Sequence, residues 1–128
     1  MKQVEYTTLL TTEDLIDVRL MWEKKGEITK FSLNYRAMIS GKWIEIYRVD
    51  NYHGFLHEQR YWRNSEPIRL NEHLSLNLVI KKYVTEITLN YQRYRNYYLE
   101  NMKNGRNEEN EKKRRTEHKR TEKKSRRH

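Results

Sequence analysis

Arg48, Asp50, His53 and His57 lie within one short segment, "YRVDNYHGFLHEQRYW" (47–62). Their types allow phosphodiester chemistry. Imidazoles titrate near neutral pH and serve as general acid or base. A guanidinium stabilises the charge that develops on a phosphate. In that scheme His57 is a proton carrier, Arg48 the phosphate clamp and Asp50 the group that orients one of them, with His53 as a second imidazole. No cofactor or metal is needed. Two other readings compete. In one, Arg48 and Asp50 pair, His53 caps a loop and His57 is a half-buried structural histidine. In the other, Asp50, His53 and His57 ligate a metal, although their spacing matches no tight pattern and supplies no fourth ligand.

Antiparallel strands must position these residues. "DVRLMWEK" (17–24), "ITKFSLNYRAMI" (28–39), "KWIEIYRVD" (42–50) and "FLHEQRYWR" (55–63) alternate apolar and polar residues. Lys25-Gly26 and Ser40-Gly41 read as two-residue turns, and 51–54 as a short loop. These turns fix a register. One cross-strand row reads Val18, Leu33, Arg48, His57; the next reads Ile16, Tyr35, Ile46, Gln59. Both rows fall on the core face. Met21, Met38, Trp43, Tyr47 and Trp62 fall on the outer face, where they form a candidate dimer or partner surface. Residues 1–16 are ambiguous: "TTEDLID" starts like a capped helix, whereas Val4, Tyr6 and Thr8 alternate as in a strand.

Pro67 ends the fourth strand, and Asn71 or Ser75 can cap a helix. Leu76, Ile80, Tyr83, Val84, Ile87, Tyr91, Tyr94, Tyr98 and Met102 then recur at steps of three and four. Gly105 is the expected stop. The run Tyr91, Tyr94, Tyr97, Tyr98, interleaved with Arg93 and Arg95, has the residue types to stack bases; the favoured reading puts Tyr91 and Tyr94 in the core stripe, with Tyr97 off it. The expected fold is α+β: a four-stranded antiparallel meander packed by one long C-terminal helix, with residues 17–102 as the domain and 103–128 as a basic tail.

The tail has 12 Lys or Arg against five Glu, so it carries 12 − 5 = +7 of the formal net charge of +9. It holds too little apolar surface to fold alone, so it is disordered or a solvated helical extension. Arg60, Arg63, Lys112, Lys113, Arg114, Arg115, Lys119 and Arg120 are its candidate phosphate contacts and those of the strand end. With no aromatic in the tail, such binding is sequence-tolerant. The chain contains no cysteine, which excludes disulfides and thiol ligation. It has no apolar signal run and no stretch of spanning length, so a cytoplasmic protein without membrane contact is expected.

At Tyr47-Arg48-x-Asp50-x-x-His53-Gly54-x-x-His57, with Asn34-Tyr35 and Gly41-Lys42-Trp43 before it and Ile87-x-x-Asn90 after it, the chain resembles a family of small uncharacterised archaeal and bacterial proteins. These are similar in turn to TumE-type toxins of toxin–antitoxin pairs. The resemblance covers about residues 17–95. It implies a small toxin-like protein acting on RNA, possessing an antitoxin partner, with Arg48, Asp50, His53, Gly54 and His57 as the matching positions. The family's His-x-His pair is incomplete here, since Gln59 stands at the second histidine. Two functions therefore follow: a metal-independent ribonuclease, or a non-enzymatic nucleic-acid-binding or protein-binding module using the tail and the exposed sheet.

Overall fold

The computed structural model describes residues 2–24, 26–64 and 66–126, with side chains to residue 104. Six strands precede one helix: β1 (Lys2–Thr11), β2 (Asp14–Lys24), β3 (Glu27–Ile39), β4 (Lys42–Asp50), β5 (His57–Arg60), β6 (Ile68–Arg69) and α1 (Leu76–Arg126). The strands form one sheet in sequence order, with every described neighbour antiparallel. The class is α+β as expected, but the meander has six strands rather than four.

The two extra strands have local causes. "TTED" turns a hairpin instead of starting a helix. Thr11 Oγ1 accepts from the Glu13 amide at 3.0 Å and donates to Asp14 Oδ2 at 2.6 Å. This lets β1 pair along β2, with Tyr6 opposite Val18. Pro67 does not end a long fourth strand. The chain leaves β5 at a turn over 61–63 and returns as the two-residue β6.

Turn chemistry sets the β3–β4 hairpin. Ser40 (φ 52°) and Gly41 (φ 79°) both adopt the left-handed conformation that a two-residue type I′ turn requires. Ile39 therefore pairs with Lys42, and Arg36 with Glu45. A bulge then intervenes: Tyr35 pairs with Tyr47, leaving Ile46 as the extra residue. A one-residue shift exchanges the two faces of everything beyond it. Leu33 thus faces Val49, not Arg48, and Asn34 faces Arg48.

α1 packs chiefly over β3 and β4. Beneath it, Phe31, Leu33, Tyr35, Ala37, Tyr47 and Val49 are buried, together with Ile16 and Val18 of β2. Each large apolar side chain removed from water stabilises the fold by roughly 1.5–3 kcal/mol. Ser75 lies at the helix start, and its carbonyl accepts from the Val79 amide at 2.9 Å. Tyr91 and Tyr94 take their expected core places, edge-on to Tyr35 and stacked on Tyr47. Tyr47 and Trp62 are not on the outer face; they are buried at 2% and 8% exposure because of the bulge and the turn after β5. Trp43 is exposed as expected. Gly105 does not stop α1, which continues to Arg126.

Polar groups on the covered face are satisfied there. The Tyr35 hydroxyl donates to Asp14 Oδ1 at 2.6 Å, and Arg95 of α1 lies 3.6 Å from Asp14 Oδ2. The Tyr47 hydroxyl donates to Glu58, which Arg60 also meets at 2.7 Å. Burial, reinforced by these carboxylates, pushes both phenols far above their ordinary range.

Candidate functional site

The face of the sheet away from α1 is charged, and the bulge puts Arg48 and Asp50 there. The loop from β4 to β5 spans 51–56, two residues longer than the turn the sequence indicated. Asp50 therefore pairs with His57, and Arg48 with Gln59. An error of two leaves side-chain direction unchanged, so Arg48 and His57 still share a face. That face is the helix-free one, not the core. Glu58 and Arg60 take the positions toward the helix.

Asp50 joins the cluster. It is 2% exposed and accepts from Arg48 Nε at 2.6 Å and from the Tyr52 amide at 3.0 Å. His57 Nε2 lies 3.4 Å from its other oxygen. A buried carboxylate requires such partners, since desolvation without them costs several kcal/mol. His57 is itself 2% exposed, and its Nδ1 faces the Phe55 carbonyl at 3.3 Å. Both ring nitrogens therefore face protein oxygens. His53 is exposed and stacks on His57 with centroids 5.6 Å apart.

The loop is anchored from below. Asn51 Oδ1 accepts from the Phe31 amide at 2.9 Å, and its Nδ2 donates to the Thr29 carbonyl at 3.0 Å. The Gly54 amide closes the turn on the Asn51 carbonyl at 3.2 Å. Gly54 has φ 87°, a conformation that disfavours any side chain.

The cluster borders a groove of about 460 Å³ across β1–β4, whose walls include Asp17, Arg19, Asn34, Arg36, Glu45 and Arg48. Its cations are matched by carboxylates. Arg19 meets Glu5 at 2.8 Å, and Arg36 lies 3.2 Å from Asp17 and 3.8 Å from Glu45. The Arg36 Nε–Asp17 contact has ion-pair distance without hydrogen-bond alignment. Asn34 is 5% exposed; its Nδ2 donates to Glu45, while its Oδ1 is buried without a partner among the described residues. Sequence alternation put Asn34 and Arg36 opposite the core residues, but only cross-strand pairing gathers them with Asp17, Arg19 and Glu45.

At the other end of the sheet, Arg60 is held by Glu58. Arg63 is exposed beside a small cavity shared with Arg60 and Pro67. Lys112, Lys113, Arg114, Arg115, Lys119 and Arg120 have side chains outside the described residues. Among the described residues no group of three His, Asp or Glu gathers as metal ligands. None of the described helical sequence is long and apolar enough to cross a membrane.

Geometry therefore defines a class: a helix-backed antiparallel meander with one self-neutralised polar face and a basic helical extension. The chain belongs to the family of the domain of unknown function DUF7718, whose model matches residues 1–104. No curated protein and no solved structure matches the chain.

Proposed function

We propose that this protein is a nucleic-acid-binding module that acts through its basic C-terminal extension. The observation that carries the reading is the distribution of charge. Residues 103–128 hold 12 − 5 = +7 of the total +9, leaving about +2 for the body. The groove's arginines already face carboxylates of the same face. Binding by such an extension is dominated by counterion release, so it is strongly salt-dependent and tolerant of sequence. RNA is the ligand we favour.

The second reading is a toxin-like, metal-independent ribonuclease with an antitoxin partner. The assembly of Arg48, Asp50 and His57 beside exposed His53 favours it. In that chemistry His53 exchanges the proton and Arg48 meets the phosphate, while His57 and Asp50 orient them. Against it stands the burial of His57, both of whose ring nitrogens face protein oxygens. Gln59, opposite Arg48, does not exchange protons at neutral pH.

One set of samples separates the two. Wild type, His53→Ala and the variant K112Q/K113Q/R114Q/R115Q are incubated with labelled single-stranded RNA and read for both anisotropy and cleavage. The module binds without cutting, and only the tail variant loses affinity. Cleavage that disappears in His53→Ala while binding remains establishes the ribonuclease instead.

A further inference from the structure

The turn after β5 and the middle of α1 border another, open cleft. Tyr61 and Trp62 form one side, and Tyr98, Asn101 and Met102 the other, around a volume of about 210 Å³. That space far exceeds what one water occupies. Trp62 is a fixed wall. Its indole stacks on Tyr94 at 5.0 Å and 20°, and it meets the exposed Tyr97 ring at 5.7 Å and 47°. Tyr94 in turn stacks on buried Tyr47 at 4.9 Å. Asn101 is exposed at the rim, and its amide has no partner among the described residues.

The surroundings of this aromatic cleft are basic in sequence. Lys103 immediately follows Met102 and opens the segment of net charge +7. Arg63 is exposed on the turn that carries Tyr61 and Trp62, and no carboxylate pairs with it among the described residues. A cation thus adjoins in sequence a lining residue on each side of the cleft, Arg63 next to Trp62 and Lys103 next to Met102. Aromatic faces take a planar ring, and flanking cations take a polyanion. The two are joined in a nucleic-acid strand whose base has left its stack.

We propose that the Tyr61–Trp62–Tyr98–Asn101–Met102 cleft receives one unpaired nucleobase, with the adjoining phosphates running onto the basic extension. This rests on the nucleic-acid reading above and adds a preference for single strands. In this arrangement Tyr98 and Trp62 supply the apolar walls. The Asn101 amide offers a donor and an acceptor to the base edge. The extension supplies phosphate contacts that do not distinguish strands.

Two measurements on the full chain test it. Anisotropy is recorded for wild type, Tyr98→Ala and Asn101→Ala with a labelled single-stranded RNA, the same sequence as single-stranded DNA, and its duplex. Wild type prefers both single strands to the duplex. Tyr98→Ala weakens single-strand binding about tenfold, in the range of one lost base–aromatic stack, with duplex affinity unchanged. Asn101→Ala, at an exposed helix position, weakens binding of both single strands by a few-fold and leaves the duplex unchanged. Equal losses on duplex and single strand, or none on either, overturn the cleft while leaving the binding module intact. Failure of every oligonucleotide to bind removes the underlying reading, and the cleft proposal with it.

The second measurement does not depend on truncating Tyr98. In the variant W22F/W43F, Trp62 is the remaining indole. Its emission falls on adding the single strand and stays constant with the duplex. Bound single strand without a change in Trp62 emission overturns the assignment.

Discussion

The open face of the sheet and the C-terminal extension are both rich in cations, yet they differ in what those cations are free to do. On the open face Arg19, Arg36 and Arg48 stand within 4 Å of Glu5, Asp17, Glu45 or Asp50. In the extension 12 cations face five Glu, so seven positive charges have no counterpart in that segment. A polyanion senses the residual field, not the number of arginines. The comparison teaches that charge distribution separates a surface whose charges are paired within it from a segment whose sequence leaves a net charge of +7.

The strongest way to break the comparison is to neutralise each region in turn. Replacing Lys112, Lys113, Arg114 and Arg115 by Gln should weaken binding of single-stranded RNA on the order of 100-fold at 0.15 M salt, since on the proposed reading each would remove one phosphate contact. Arg19→Gln combined with Arg36→Gln should change that affinity less than threefold. A reversed order, measured by anisotropy, places the ligand in the groove instead.

Stability should respond in the opposite sense. Asp50→Ala leaves Arg48 and His57 without their shared carboxylate and should cost about 3 kcal/mol by urea denaturation. The tail substitutions should cost less than about 0.5 kcal/mol, the range of ordinary surface changes. A harmless Asp50→Ala would mean that the cluster does not hold the β4–β5 loop.

A smaller effect sharpens the picture of the covered face. Tyr35→Phe removes the hydroxyl that Asp14 accepts. Asp14 keeps Thr11 Oγ1 and the nearby Arg95, so the loss should be about 1–2 kcal/mol, readable as a lower denaturation midpoint.

The smallest effect is one of pH. Glu72 accepts from Lys82 Nζ at 2.6 Å and from the Tyr83 hydroxyl at 2.9 Å. Those bonds hold its carboxyl below the ordinary range. A carboxylate lowered by folding stabilises the fold above its unfolded pKa, and that stability fades as pH falls through the folded value. Glu72→Gln should therefore lower the midpoint slightly at pH 7, and the difference should shrink below the ordinary carboxylate pKa of about 4.3 and vanish only once pH is below the lowered folded value.

Particular residues show how far the sequence could be read. Ser40-Gly41 specified its turn, and the stripe from Leu76 to Met102 specified the helix face. The bulge at Ile46 had no such signal. Nothing in "KWIEIYRVD" distinguishes a regular strand from one with an extra residue, because Ile44, Ile46, Tyr47 and Val49 all suit a buried site. Asp50, Arg48 and His57 were still brought together, since the loop error was two residues and two is the period of a strand. Their face was wrong, since the bulge error was one. The β1 hairpin turned on Thr11 and Asp14, whose side chains form a turn as readily as they cap a helix. Trp62 was read onto the outer face, because the turn that swings it under Tyr94 lies beyond the regular strand.

The most direct measurement is the salt dependence of the affinity for single-stranded RNA, compared between wild type and K112Q/K113Q/R114Q/R115Q. The account predicts a steep fall of log K with log salt that becomes shallower by roughly three units in the variant, from the single-strand value of about 0.7 per phosphate contact. Equal slopes for the two proteins, or affinity that ignores salt, would contradict it.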